Sequence, residues 1–266
     1  MTRYKEKFAE LKKKKEGAFI PFVVLGDPDF DTSKRILNKM AKHADILELG
    51  FPFSDPIADG KRIQAADERA LKAKITPNKC FQLIKQVRKR NKKIPIGLLV
   101  YYNLVYSNGV ENFLKKAKRA GVDGILVADM PIEEAGEIQE TCEKIGLEQI
   151  FIVAPTTKGS RMREVASKSK GFIYTVGVLG VTGERKSVGS STIKLVKAIK
   201  KNSKVPVCVG FGISKPEHVK KIIKSGADGA IVGSAVETII EKNLGNKKKM
   251  LLQLENFFKK MKEATK

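Results

Sequence analysis

The stretch AGVDGILVAD, residues 120–129, leaves a helical pattern, turns at a glycine, passes Asp123 and enters a short apolar run. KHADILEL at 42–49 and SGADGAIVGS at 225–234 repeat that plan, with Asp45 and Asp228 in the place of Asp123. Each predicts a helix that ends, a turn whose Asp bonds local backbone, and a buried strand. Eight apolar runs of strand length fit the scheme: 19–26, 45–50, 95–102, 124–129, 149–155, 171–177, 206–212 and 229–234. Amphipathic segments lie between them. In VENFLKKAKRAG (110–121), Phe113, Leu114, Ala117 and Ala120 recur at helical spacing and Gly121 supplies a C-cap.

Continuous apolar strands alternating with such helices predict parallel pairing with both sheet faces covered. Eight βα units in 266 residues close most simply into a single-domain (β/α)₈ TIM barrel spanning 1–266. The segment MTRYKEKFAELKKKKEG predicts an extra N-terminal helix across the barrel bottom, and SAVETIIEKN predicts a short helix after strand 8. No signal-peptide pattern and no membrane-length apolar run occurs, so the expected location is cytoplasmic, with no membrane partner.

Composition narrows the chemistry. The two histidines, His43 and His218, do not suffice for a multi-histidine metal site or a histidine-based triad, and Cys80, Cys142 and Cys208 read as buried free thiols. No metal is expected. The net charge of +23 comes from basic clusters on one helix after another, at 12–15, 85–93, 115–119, 197–204 and 247–249, without interleaved aromatics. That distribution predicts solvated outer faces rather than a nucleic-acid groove, and it favours encounter with anionic small molecules.

Chemistry in this fold sits at the C-terminal ends of the strands. In DILELG (45–50), alternation can aim Glu48 into the barrel mouth, where desolvation raises a carboxyl's proton affinity towards that of an acid-base catalyst. A structural acid held by a buried partner is the alternative, and Asp129 at the end of strand 4 is the candidate partner or second acid. The next loop, FPFSDPIADG (51–60), offers Asp55 and Asp59, and loop chemistry does not choose between them. Three glycine-rich strand exits, GVTG (180–183), GFG (210–212) and GSA (233–235), make a cradle for a phosphate, the last at a helix N-terminus.

These motifs are specific enough for a family comparison: LELGFPFSDPIADG resembles, without a gap, the signature of tryptophan synthase α subunits. GAFIPFVVLGDP, IPIGLLVYYN, VDGILVADMPIEE, GVTG, GFGIS and GADGAIVGSA extend the likeness in family order across nearly the whole chain. The resemblance implies retro-aldol cleavage of indole-3-glycerol phosphate to indole and glyceraldehyde 3-phosphate. It also implies no cofactor on this subunit and a β subunit carrying pyridoxal phosphate in an αββα complex that channels indole.

By motif position it implies Glu48 as acid-base group, Asp59 on the indole N–H, and Tyr174 as the residue orienting Glu48. Gly183, Gly212, Gly233 and Ser234 match the phosphate-binding positions, while Phe22, Leu99, Leu126 and Ile152 match the indole wall. Pro52, Asp55, Asn103 and Thr182 match loop and partner contacts. The sequence departs from the family at Lys61-Arg62, next to the catalytic loop, at Gly177 and Val178 after strand 6, and at His43. The loop GVTGERKSVG reads as a lid that closes on ligand. Competing readings are a sugar-phosphate isomerase or epimerase, and an inactive regulatory subunit.

Overall fold

The computed structural model describes residues 1–157, 159–176, 190–210 and 212–266. Gly177, Val178, Thr182, Gly183 and the expected lid therefore lie outside the described residues.

The barrel strands are β1 (Ala18–Val24), β2 (Leu47–Gly50), β3 (Ile96–Val100), β4 (Gly124–Val127), β5 (Glu148–Gln149 and Phe151–Val153), β6 (Ile173–Val176), β7 (Val207–Gly210) and β8 (Gly229–Val232). All pair in parallel. The order runs from the first piece of β5 through β4, β3, β2, β1, β8, β7 and β6 to the second piece of β5, so the sheet closes through one strand. The break falls at Ile150, whose N–H still bonds Ile125 O at 2.8 Å. The run 149–155 thus delivers its strand in two pieces, which hydropathy alone did not indicate.

Alternation divides each strand between lumen and helix layer. Ala18, Ile20, Ile46, Leu126, Ile150, Phe172, Tyr174, Cys208 and Ile231 pack together in the lumen, and the larger apolar cluster lies between strands and helices. The N-terminal helix Arg3–Lys14 contributes Tyr4 and Leu11 to the lumen cluster. Tyr4 is fully buried, with its ring edge-on to Phe172, so the helix closes the barrel bottom as expected. The three cysteines are buried and free.

The three repeated aspartates act at that same bottom. Asp45 Oδ2 accepts from Phe19 N–H, Asp123 Oδ2 from Ile96 N–H, and Asp228 Oδ2 from Val207 N–H, each at 2.8 Å. Each carboxylate satisfies the first amides of a neighbouring strand, which helix-turn-strand repeats would otherwise leave unpaired. A cation completes each clamp: Lys262 on Asp45, Arg3 and Arg88 on Asp123, and Lys200 on Asp228. Arg88 is the exception to the solvated basic faces, being turned inward and buried.

At the opposite end, loops and short helices follow the strands. β2 leads through residues 51–60 into the helix Lys61–Lys72, and β3 leads into the short helix Tyr102–Ser107. β8 leads directly into the helix Ser234–Glu241. Among the described residues, no helix is long and apolar enough to cross a membrane.

Candidate active site

Glu48 sits in the middle of the short strand β2, in register with Phe22 of β1 and Gly97 of β3. Phe22 lines the cleft at the barrel mouth, and Glu48 is its register partner on the neighbouring strand, behind the lining. Glu48 is 2 % exposed, and its Oε2 has no hydrogen-bond partner among the described residues. Burial pushes its carboxyl up to about 8. A structural acid held by a partner would be bonded; the buried Oε2 of Glu48 has no such bond among the described residues. Asp129 is not its partner, because it is exposed and accepts from Tyr102 N–H at 2.7 Å at the start of the short helix after β3.

Asp59 and Asp55 part company in the structure. Asp55 is exposed, with Ser54 Oγ on its Oδ2, whereas Asp59 is 7 % exposed and lines the cleft. Tyr101 Oη donates to Asp59 Oδ2 at 2.7 Å and accepts from Ala58 N–H at 3.1 Å, pinning the loop at two points. The Tyr101 ring stacks on Phe53 at 5.0 Å and 18°. Gln64 Nε2 donates to Asp59 O at 2.7 Å, tying the loop to the helix that follows. Burial raises the Asp59 carboxyl above its ordinary range, and the Tyr101 hydrogen bond works against that rise. Asp67, one turn further into the helix, is raised to about 8 by burial and by the nearby Asp59 charge.

A narrow cleft joins Asp59 to Phe22, Leu99, Tyr174, Gly212, Gly233 and Ser234. Ile63, Ile213 and Ile231 also line it. Ile231 could have been found by counting two residues back from Gly233 along β8, but Ile63 and Ile213 depend on how their loops fold over the mouth. Leu126 is buried and Ile152 half-buried; both pack in the lumen around Tyr174 rather than on the lining.

Tyr174 is fully enclosed, and burial followed by the charges of Glu48 and then Asp59 raises its phenol. It therefore lies within electrostatic reach of both acids. Gly210, beside it on β7, gives it room, since a Cβ there would collide with the Tyr174 hydroxyl.

The other end of the cleft is a set of backbone donors. Gly212 has φ +78°, a left-handed conformation that side chains resist, and Gly233 caps the helix Ser234–Glu241. A helix's first N–H groups lack intrahelical acceptors, so this end presents donors and a positive dipole to an anion.

Pro52 is buried at the base of the loop 51–60, and Asn103 is exposed on the neighbouring short helix. Two large apolar side chains stand out on the same rim: Ile57 is 77 % exposed and Tyr106 65 %. Lys61 is exposed, and Arg62 turns away from the acids to pair with Glu241. Of the two cations that follow the 51–60 loop, Arg62 is thus spent on the helix after β8.

Known proteins resemble the chain along nearly its whole length. A family model described as "Tryptophan synthase alpha chain" matches residues 8–266. The tryptophan synthase alpha chain of Methanothermobacter thermautotrophicus is 51 % identical over 259 residues, 97 % of this chain and 96 % of that protein. That of Methanocaldococcus jannaschii is 51 % identical over 239 residues, 90 % of this chain and 85 % of its own length. A chain from the tryptophan synthase α2β2 complex of Pyrococcus furiosus superposes with TM-score 0.86 at 38 % identity, over 92 % of this chain and 98 % of that one. The alpha chain of Legionella pneumophila gives 0.91 at 32 % identity, over 100 % and 97 %. With the sequence matched along nearly its whole length and the barrel superposed on solved examples, the chain belongs to the tryptophan synthase alpha chain family.

Proposed function

We propose that the chain cleaves indole-3-glycerol phosphate to indole and glyceraldehyde 3-phosphate, as the α subunit in tryptophan biosynthesis. The observation that carries the reading is one cleft with Asp59 on its wall and a helix N-terminus at its far end, beside a buried Glu48 whose Oε2 has no partner among the described residues and which is in register with the lining residue Phe22. Such a cleft suits a substrate with an apolar ring at one end and a phosphate at the other.

In this mechanism Glu48, protonated near neutrality by its burial, gives its proton to the indole ring carbon that bears the glycerol chain. The ring becomes an indolenine cation, with charge on nitrogen. Asp59 faces that N–H and stabilises the charge, an interaction strengthened by exclusion of water. Glu48, now a carboxylate, takes the proton of the adjacent glycerol hydroxyl. The carbon–carbon bond then breaks, its electron pair restores the aromatic ring, and the hydroxyl carbon becomes the aldehyde. Glu48 ends protonated as it began. Tyr174 orients Glu48, and Phe22 and Leu99 hold the ring. Gly212, Gly233 and Ser234 hold the phosphate, with Gly183 completing that set.

The step needs acid-base exchange and a fixed anion, so the reading assigns no cofactor to this subunit. Pyridoxal phosphate belongs in this proposal to a β partner, docked in an αββα complex over the rim that holds Pro52, Asp55 and Asn103, with Thr182 as a further contact. The exposed Ile57 and Tyr106 on that rim support a protein partner there. A cytoplasmic location goes with this reading. Assay of indole from indole-3-glycerol phosphate tests it: Asp59→Asn should cost at least a hundredfold in turnover with an unchanged circular dichroism spectrum. Full turnover by that variant would refute the role given to Asp59.

A further inference from the structure

Three elements far apart in the chain build the cleft: the mouth end of β1, the helix Lys61–Lys72 that follows Asp59, and the helix Ser234–Glu241. A buried group of charges joins all three behind the site. Arg69 Nε and Nη2 donate to Asp27 Oδ1 and Oδ2 at 2.7 and 2.8 Å, a two-pronged bond to a carboxylate that is 1 % exposed. Arg69 Nη2 also lies 3.9 Å from Glu237 Oε2. Glu237 is fully buried, and its Oε1 accepts from Val24 N–H, the last residue of β1, at 2.8 Å. Outside this group, Arg62 and Glu241 pair the same two helices at the surface.

None of Asp27, Arg69 and Glu237 is on the cleft lining. Burying such a set is costly, and apolar residues of like volume often serve stability as well or better. Its geometry is what it supplies. Glu237 stands three residues after Ser234, so its bond to β1 fixes the first turn of the helix that offers N–H groups to the phosphate. Arg69 stands ten residues after Asp59 along a continuous helix from Lys61, and Gln64 ties that helix back to the Asp59 carbonyl. Burial, then the adjacent Asp27 charge, lifts Glu237 well above the usual carboxylate range, which favours its neutral form beside the Asp27–Arg69 pair.

We propose that Arg69, Asp27 and Glu237 are positioning residues for this reaction: they set the phosphate-holding helix at a fixed separation from Asp59, so that the two ends of the substrate are gripped in register. The inference rests on the phosphate and Asp59 roles given above. Loosening the pin leaves each grip intact but misaligns them, and a displacement of about 1 Å can cost on the order of a hundredfold in rate.

The test compares Arg69→Met, Glu237→Gln and Glu237→Ala at a temperature where circular dichroism shows each folded. Steady-state kinetics with indole-3-glycerol phosphate and calorimetric binding of inorganic phosphate are measured for all three. Glutamine reproduces the neutral acid and keeps the Val24 acceptor, so Glu237→Gln should stay within about threefold of the parent. Arg69→Met and Glu237→Ala should lose at least tenfold in kcat while phosphate affinity stays within threefold, a split that a general loss of folding would not produce. Parental kcat in folded Arg69→Met, or equal effects of the two Glu237 changes, overturns the proposal. If Arg69→Met does not fold, the Glu237 pair decides. Ser234→Glu is the control for the underlying reading: it should abolish phosphate binding, and if phosphate still binds, the phosphate seat is wrong whatever Arg69 does.

Discussion

At the scale of single residues, the account turns on one carboxyl. Glu48 titrates at about 8 in the fold, against 4.5 for an ordinary glutamate, because burial disfavours its charge. The folded state therefore holds a proton between pH 4.5 and 8 that the unfolded chain has released, and stability falls as pH rises through that window. Glu48→Gln removes the effect. Thermal melts should show the variant and parent equal near pH 4, with the variant increasingly the more stable up to pH 9; a constant difference across the series would contradict the burial argument. Tyr101→Phe should leave Asp59 without its donor, raise that carboxyl further and lower turnover about tenfold, the scale of one hydrogen bond to a charged group. Steady-state kinetics check it, and unchanged turnover would mean the loop is held some other way. Glu48 was visible in the sequence as an acid in an apolar strand. Asp59 was visible only as one of two loop acids, since exposure, which separates it from Asp55, depends on Tyr101, a residue that reads as the tail of a strand.

At the scale of elements, the helix-turn-strand repeat carried the fold, and the aspartates in it proved to be clamps on neighbouring strands. Their energies should differ with burial. Asp123→Ala strands the buried Arg88 and the Ile96 amide, so urea melts should show a loss of about 3–5 kcal/mol, the usual cost of breaking a buried pair. Asp228 pairs with the half-exposed Lys200, an ion pair worth about 1 kcal/mol or less, so Asp228→Ala should cost clearly less. Equal losses would show that the strand amide, not the cation, sets the energy. The break of β5 at Ile150 was illegible because the run from Ile150 to Pro155 is apolar without interruption. The Asp27–Arg69–Glu237 group was illegible for a different reason: Asp27 and Arg69 are 42 residues apart, and Val24 and Glu237 are 213 apart, so only the closed barrel brings them together.

At the scale of the whole molecule, we take residues 1–266 as one barrel domain with two working faces. The bottom face is a stability device, closed by Tyr4 and the aspartate clamps. The mouth holds the cleft and the apolar rim. If the rim is the β-subunit surface, Tyr106→Ala should weaken the partner about tenfold or more, as truncation of a central aromatic anchor does, and leave the isolated subunit's turnover near the parent. Titration of β-subunit stimulation measures this, and undiminished affinity would place the interface elsewhere. The excess of positive charge lies mostly on exposed helix faces, and among the described residues no Lys or Arg lines the cleft. The departure at Lys61-Arg62 is similarly reduced by the fold, because Arg62 is engaged by Glu241. What remains central is the proposal that one buried carboxyl carries the proton both ways. The most direct test is single-turnover release of indole from indole-3-glycerol phosphate by the parent and by Glu48→Gln, both shown folded by circular dichroism. The account predicts release by the parent and none by the variant; release by Glu48→Gln at the parental rate would contradict it.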